Sequence, residues 1–216
     1  MNNPNDTFDP QRYGLITGSK CSVLFPKRSA EVGQRQYAKE LANNMFFRYY
    51  DNNGGRHTEH GNNNEYNAWE HYVQYHDKSA VYQPDFKRLG FWGGQADCIS
   101  DTAVVDFKCP TSLGGWLDFL HEPISADYYY QGQMYMMLYK KPKCIFAAYL
   151  IETTWMETIG QRYPVPEHQR MILVEVTREE GWKEKLEAIT PKIIAMRDDF
   201  YNKLKTQFNE TDTSRQ

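Results

Sequence analysis

The sequence predicts an α/β (α+β mixed) fold, a central mixed β-sheet flanked by helices. Two observations carry this. Helical periodicity dominates both ends of the chain, and between them two groups of strand-like segments enclose one further helix. The chain has 216 residues and 40% hydrophobic residues, enough for one globular domain with a sizeable core.

Residues 1–10 read as a polar lead. Ile16-Thr17-Gly18-Ser19 opens a short helix ending near Phe25, closed by Pro26. Ser29 is the expected N-cap of a longer helix, where Ala38, Leu41, Ala42, Met45, Phe46 and Tyr49 recur on one face until Asp51-Asn52-Asn53-Gly54-Gly55 stops it. A second helix is expected to open after Gly61, with Tyr66, Trp69, Tyr72, Val73 and His76 on one face and Glu65 in its first turns. Phe86–Trp92, Gly94–Ser100 and Thr102–Lys108 then read as short strands, the last two joined at Ser100-Asp101. Ser112–Pro123 reads as a loop rich in glycine and tryptophan. Asp127–Tyr139 reads as a helix, Cys144–Glu152 and Met171–Thr177 as strands, and Glu179 to Phe208 as a long final helix with Pro191 inside it. One domain over 11–208 is expected, followed by a disordered tail over 209–216.

Composition narrows the function. The formal charge is −3, so any DNA contact must use a local basic surface. No run of about 18 apolar residues suggests a membrane span. MNNPNDTFDP lacks the pattern of a signal peptide, so a cytoplasmic location is expected. Cys21, Cys98, Cys109 and Cys144 form no CxxC pair, which argues against a zinc or iron–sulfur site and for reduced thiols.

Four segments carry chemistry. In Val104-Val105-Asp106-Phe107-Lys108-Cys109-Pro110, strand alternation puts Asp106 and Lys108 on one face and Val105 and Phe107 on the buried one. An ordinary ion pair on a strand would give the same triplet. In Gly93-Gly94-Gln95-Ala96-Asp97, the acid lies nine residues before Asp106, a spacing that suits two adjacent strands and one shared cation. Asp97 could equally close a turn. Glu65, after Gly61-Asn62-Asn63-Asn64, could turn towards the same cation or simply favour a helix dipole. In Tyr128-Tyr129-Tyr130-Gln131-Gly132-Gln133-Met134-Tyr135, Gln131 and Tyr135 are helical neighbours that could position water or phosphate, or pack in a core. His57 and His60, in the loop Gly55-Arg56-His57-Thr58-Glu59-His60-Gly61, are expected to be incidental.

The order and spacing of these segments, with Arg12-Tyr13-Gly14-Leu15-Ile16-Thr17-Gly18-Ser19 before them, resembles the lambda-exonuclease or YqaJ-type viral recombinase family of the PD-(D/E)XK nuclease superfamily. The likeness spans roughly residues 10–140. One departure is Asp106, where lambda exonuclease has Glu; the superfamily pattern allows either.

The resemblance implies a restriction-endonuclease-like core and metal-dependent hydrolysis of linear double-stranded DNA, 5′→3′, leaving 3′ overhangs for phage-type recombination. It implies that Asp97, Asp106, Glu65 and the Phe107 carbonyl bind Mg²⁺, or Mn²⁺ in its place, as two ions. Lys108 then acts on the attacking water, with Gln131 and Tyr135 assisting. Arg12 and Ser19 match the family's holders of a 5′-terminal phosphate, and Ser112 is a further phosphate candidate. A homotrimeric ring and a phage single-strand annealing partner are also implied. An endonuclease or repair nuclease on the same fold, and an inactive DNA-binding module, remain as rivals.

Overall fold

The computed structural model describes residues 10–25, 30–48, 56–152, 156 and 158–209. Residues 1–9 of the expected lead, the Ser29 cap, the stop at 51–55 and residues 210–216 of the expected tail lie outside them, whereas Pro10 and Asn209 are helical. The chain forms two compact units, Met1–Asn52 with Arg88–Gly94 and Glu180–Gln216, and Asn53–Lys87 with Gln95–Glu179.

In the first unit, helix α1 (Ala30–Phe47) packs along the long C-terminal helix α5 (Trp182–Asn209). Their apolar stripes meet where Phe46 lies edge-on to Tyr201 and packs against Phe208, and the Arg35 guanidinium sits 5.0 Å over the Phe200 ring. Helix α5 begins at Trp182, after Gly181 at φ +74°, three residues later than expected, and runs on through Pro191.

Ile16-Thr17 is a strand, β1, followed by a 3₁₀ turn over Gly18–Leu24 where a helix entry was expected. It pairs in parallel with β4 (Trp92–Gly94), and β3 (Lys87–Leu89) completes the small sheet in the order β1-β4-β3. The single strand expected over Phe86–Trp92 is thus two, because Gly90 at φ +60° turns the chain between them.

The second unit is built on a five-stranded sheet. In spatial order its strands are β2 (Val81–Tyr82), β5 (Cys98–Ile99), β6 (Ala103–Lys108), β7 (Lys143–Tyr149) and β8 (Met171–Thr177). Only β6 and β7 run parallel, Asp106 pairing with Phe146. On one face, helix α2 (Arg56–Tyr75) buries Ala68 and Tyr72 against Val105, Phe107, Ile145 and Ala147. On the other lie α3 (Leu113–His121) and α4 (Ala126–Tyr139).

Two expectations here are corrected. Helix α2 starts at Arg56, not after Gly61, so His57 and His60 are helical rather than looped. Gly61 costs a helix only about 1 kcal/mol, which the twenty-residue packed helix absorbs. Ser112–Pro123 is mostly helix, not loop. Trp116 packs on Ala148 and Leu150 and donates its indole N–H to the Ala148 carbonyl at 3.0 Å, and Ser112 caps the helix by accepting the Gly115 N–H. Burial of one large ring overrides the poor helix propensity of Gly114 and Gly115.

Candidate active site

Alternation along β6 does what the sequence predicts. Val105 and Phe107 enter the core under α2, while Asp106 and Lys108 face α4. Asp106 is only 1% exposed and forms an ion pair with Lys108. Its other carboxylate oxygen, Oδ1, accepts the Gln131 side-chain amide at 2.7 Å. Gln131 in turn lies 3.5 Å from the Tyr135 hydroxyl, one helical turn on. Ser125 caps α4 by accepting the Tyr128 N–H. Gly132 lets this helix approach closely, since a Cβ there would stand 3.2 Å from Cys144 and Phe146 of β7.

Asp97 precedes β5 and turns towards the same place, where its carboxylate accepts the Phe107 backbone N–H at 2.8 Å. Burial raises the Asp97 carboxyl well above its ordinary range, and Asp106 and Glu65 raise it further. Lys108 and the Phe107 N–H oppose that rise. Glu65, on α2, is pushed up to about 7, first by burial and then by Asp106. Burial alone would lower the Lys108 ammonium, but Asp106 and Asp97 outweigh it and keep the group protonated. Burial, then Asp106 and Asp97, also raise the Tyr135 phenol.

Three carboxylates, Glu65, Asp97 and Asp106, thus share one cation, Lys108. Among the described residues no three His, Cys, Asp or Glu side chains converge closely enough to hold a metal ion. Lys108 draws in one oxygen of Asp106, and the Phe107 N–H engages one of Asp97. The donor chemistry nevertheless fits a hard divalent ion. The donors are all oxygen, and two positive charges would balance the carboxylates that Lys108 leaves uncompensated.

The cluster opens into a cavity of about 510 Å³ lined by Glu65, Lys108, Ser112 and Tyr128 among others. The sequence reading missed Tyr128 as a site residue. The Lys108 ammonium lies 4.6 Å over its ring, and that ring also stacks against Phe119 and Phe146. Its position three residues before Gln131 on a helix was the available signal.

Among solved structures, the alkaline exonuclease LHK-Exo from Laribacter hongkongensis superposes with a TM-score of 0.72, covering 93% of this chain and 96% of that one at 16% identity. The same exonuclease in complex with dAMP gives 0.72 at 15% identity, over 94% and 97% of the two chains. A phage-related exonuclease from Haemophilus somnus 129PT gives 0.69 at 15% identity, over 89% and 96%. This chain has the fold of these exonucleases. The resemblance drawn from its motifs and the fold itself therefore agree. No family profile matches the sequence, and no curated protein matches it.

Within the first unit of this exonuclease fold, Arg12 and Ser19 line one small cavity of about 40 Å³, together with Thr17, Lys20, Tyr37 and Glu40. Ser112, in the second unit, lines the large cavity instead. The His57 side chain lies outside the described residues. His60 is half-buried on α2, where the Asn64 amide donates to its carbonyl at 2.8 Å. All four cysteines are free thiols, as expected, and among the described residues no helix is long and apolar enough to cross a membrane.

Proposed function

We propose that this chain is a divalent-metal-dependent deoxyribonuclease that digests linear double-stranded DNA from a 5′ end and leaves 3′ single-stranded overhangs. The observation that supports it best is the cluster of Asp97, Asp106, Lys108 and Gln131, which reaches a large cavity through Lys108 and the neighbouring Glu65, on an exonuclease fold.

Asp97 and Asp106, with Glu65 and the Phe107 carbonyl, would hold two Mg²⁺ ions, or Mn²⁺ in their place. When bound, a divalent cation supplies Lewis-acid charge against the phosphate and makes water easier to deprotonate. The protein's own part is positioning. Gln131 fixes the Asp106 carboxylate by a short hydrogen bond, and Tyr135 backs Gln131. Lys108, kept charged by its acidic neighbours, orients the attacking water and faces the phosphate as negative charge builds on it. Tyr128 supports the Lys108 ammonium from beneath.

Arg12 holds the 5′-terminal phosphate, with Ser19 donating beside it and Ser112 contacting phosphate at the large cavity. The reading extends to a homotrimeric ring around DNA and to a phage-type single-strand annealing protein as partner, both on the strength of the motif resemblance.

The test compares a covalently closed duplex circle with the same DNA made linear, in Mg²⁺ and in EDTA. Digestion of the linear form alone, abolished by EDTA, is expected. Nicking of the circle would instead favour an endonuclease, and full activity in EDTA would sink the metal assignment.

A further inference from the structure

Beside the carboxylates lies a half-exposed aromatic cluster that the proposed chemistry does not use. Tyr66 and Trp69 of α2 and Tyr82 of β2 stand with ring centroids 5.3–5.5 Å apart. Trp69 is anchored, its indole N–H donating to the Ala80 carbonyl at 3.2 Å. Tyr66, by contrast, is 49% exposed. Apolar groups gathered into one surface patch, unlike scattered single residues, mark a site of contact.

Three observations tie this cluster to the catalytic carboxylates. Tyr66 follows Glu65 directly on α2. Tyr82, on the edge strand of the sheet, pairs with Cys98, the residue after Asp97, and burial first, then the charges of Glu65 and Asp97, raise its phenol. Gln83 takes φ 44°, a left-handed conformation unusual for a residue other than glycine. Its backbone N–H donates to the Asp97 carbonyl at 2.8 Å, and its side-chain amide donates to the Tyr82 hydroxyl at 3.2 Å. Backbone strain of this kind gathers at ligand sites, because the surrounding contacts must hold it.

We infer that Tyr66 and Tyr82, backed by Trp69, form a stacking platform for an unpaired nucleobase of the DNA strand beside the cleavage centre. The inference rests on the nuclease reading. A nuclease that digests any sequence must grip each nucleotide without reading it. An aromatic face does this, since every base presents a π surface, whereas hydrogen-bond donors and acceptors would discriminate. The neighbouring carboxylates repel a phosphate but not the face of a neutral base.

The test measures fluorescence anisotropy of a short labelled oligothymidine in EDTA, so that binding is read without cleavage. Tyr66→Leu and Tyr82→Leu are each expected to weaken binding about 5- to 150-fold, the range of one base–aromatic stack, while Tyr82→Phe, which keeps the ring, binds like wild type. Tyr66 is exposed enough that its leucine variant keeps the fold if Tyr82→Leu does not. Unchanged oligothymidine affinity in Tyr66→Leu overturns the platform, and if sedimentation then shows altered assembly the patch is a contact between copies of this chain. Duplex cleavage is assayed separately. Cleavage with ring-independent oligothymidine binding removes the platform and leaves the nuclease reading intact. Ring-dependent binding without cleavage does the reverse, and a wild type that binds no DNA removes both.

Discussion

Gln131 donates its side-chain amide to the Oδ1 atom of Asp106 across 2.7 Å, linking a helix to a strand that lies 25 residues earlier. This bond leaves the opposite carboxylate oxygen to Lys108 and so orients the acid at the centre of the cluster. Gln131→Ala is expected to lower kcat roughly 10- to 150-fold, the worth of a hydrogen bond to a charged group, with little change in DNA affinity. A kcat equal to wild type would show that Asp106 needs no such support.

Asp97→Ala and Asp106→Ala should each lose more than about 100-fold in cleavage rate, since even residues behind a metal's ligands cost 10- to 100-fold when changed. DNA binding should persist or strengthen, because each change removes a negative charge facing phosphate. Rates and binding are measured separately on folded protein. Either variant keeping most of its turnover would remove that residue from the metal set.

Glu65 gives a dependence on pH. Its carboxyl is raised from an ordinary 4.5 to about 7. The protonated form therefore stabilises the fold fully below about pH 4.5, and that stability is lost as pH rises through about 7. Glu65→Gln replaces the acid with a neutral amide that does not ionise. In EDTA its unfolding free energy, measured at each pH, should gain on wild type as pH increases from about 5 to 8, by about 1–2 kcal/mol after allowance for partial exposure. A difference that stays flat across this range would contradict the burial of charge at Glu65.

At Gly132 an added Cβ would stand 3.2 Å from Cβ and Sγ of Cys144 and from the Phe146 ring, both residues fully buried. Helix α4 or strand β7 must then give by a few tenths of an ångström. Gly132→Ala should cost about 1–3 kcal/mol, less any gain in helix propensity, and should lower activity further by moving Gln131. Thermal melting and kcat together check this. A variant as stable and active as wild type would mean that the interface has slack.

Arg12 separates recognition of a DNA end from ordinary charge attraction. A guanidinium can hold a terminal phosphate through two parallel hydrogen bonds, which a lysine cannot copy. Wild type should prefer 5′-phosphorylated over 5′-hydroxyl duplex, and Arg12→Ala should lose most of that preference, about 10- to 150-fold, while keeping its slow rate on hydroxyl ends. Equal slowing on both ends, with unchanged melting, would refute the phosphate role.

The sequence by itself determined the periodic elements and what local stereochemistry dictates within them. Alternation put Asp106 and Lys108 opposite Val105 and Phe107, and helical spacing made Gln131 and Tyr135 neighbours. The ordered motifs pointed to a fold that superposition then showed. What only the tertiary structure decided depends on contacts distant in sequence. Ser112–Pro123 reads as a loop until Trp116 is seen to pack on Ala148 and Leu150. Tyr128 reads as one tyrosine among three until Lys108 is found over its ring. The proton affinity of Glu65 is set by burial and by Asp106, which lies on another element. Local periods follow from backbone geometry and survive in any context. Burial, pairing and charge coupling exist only once the chain has closed its long loops and excluded water.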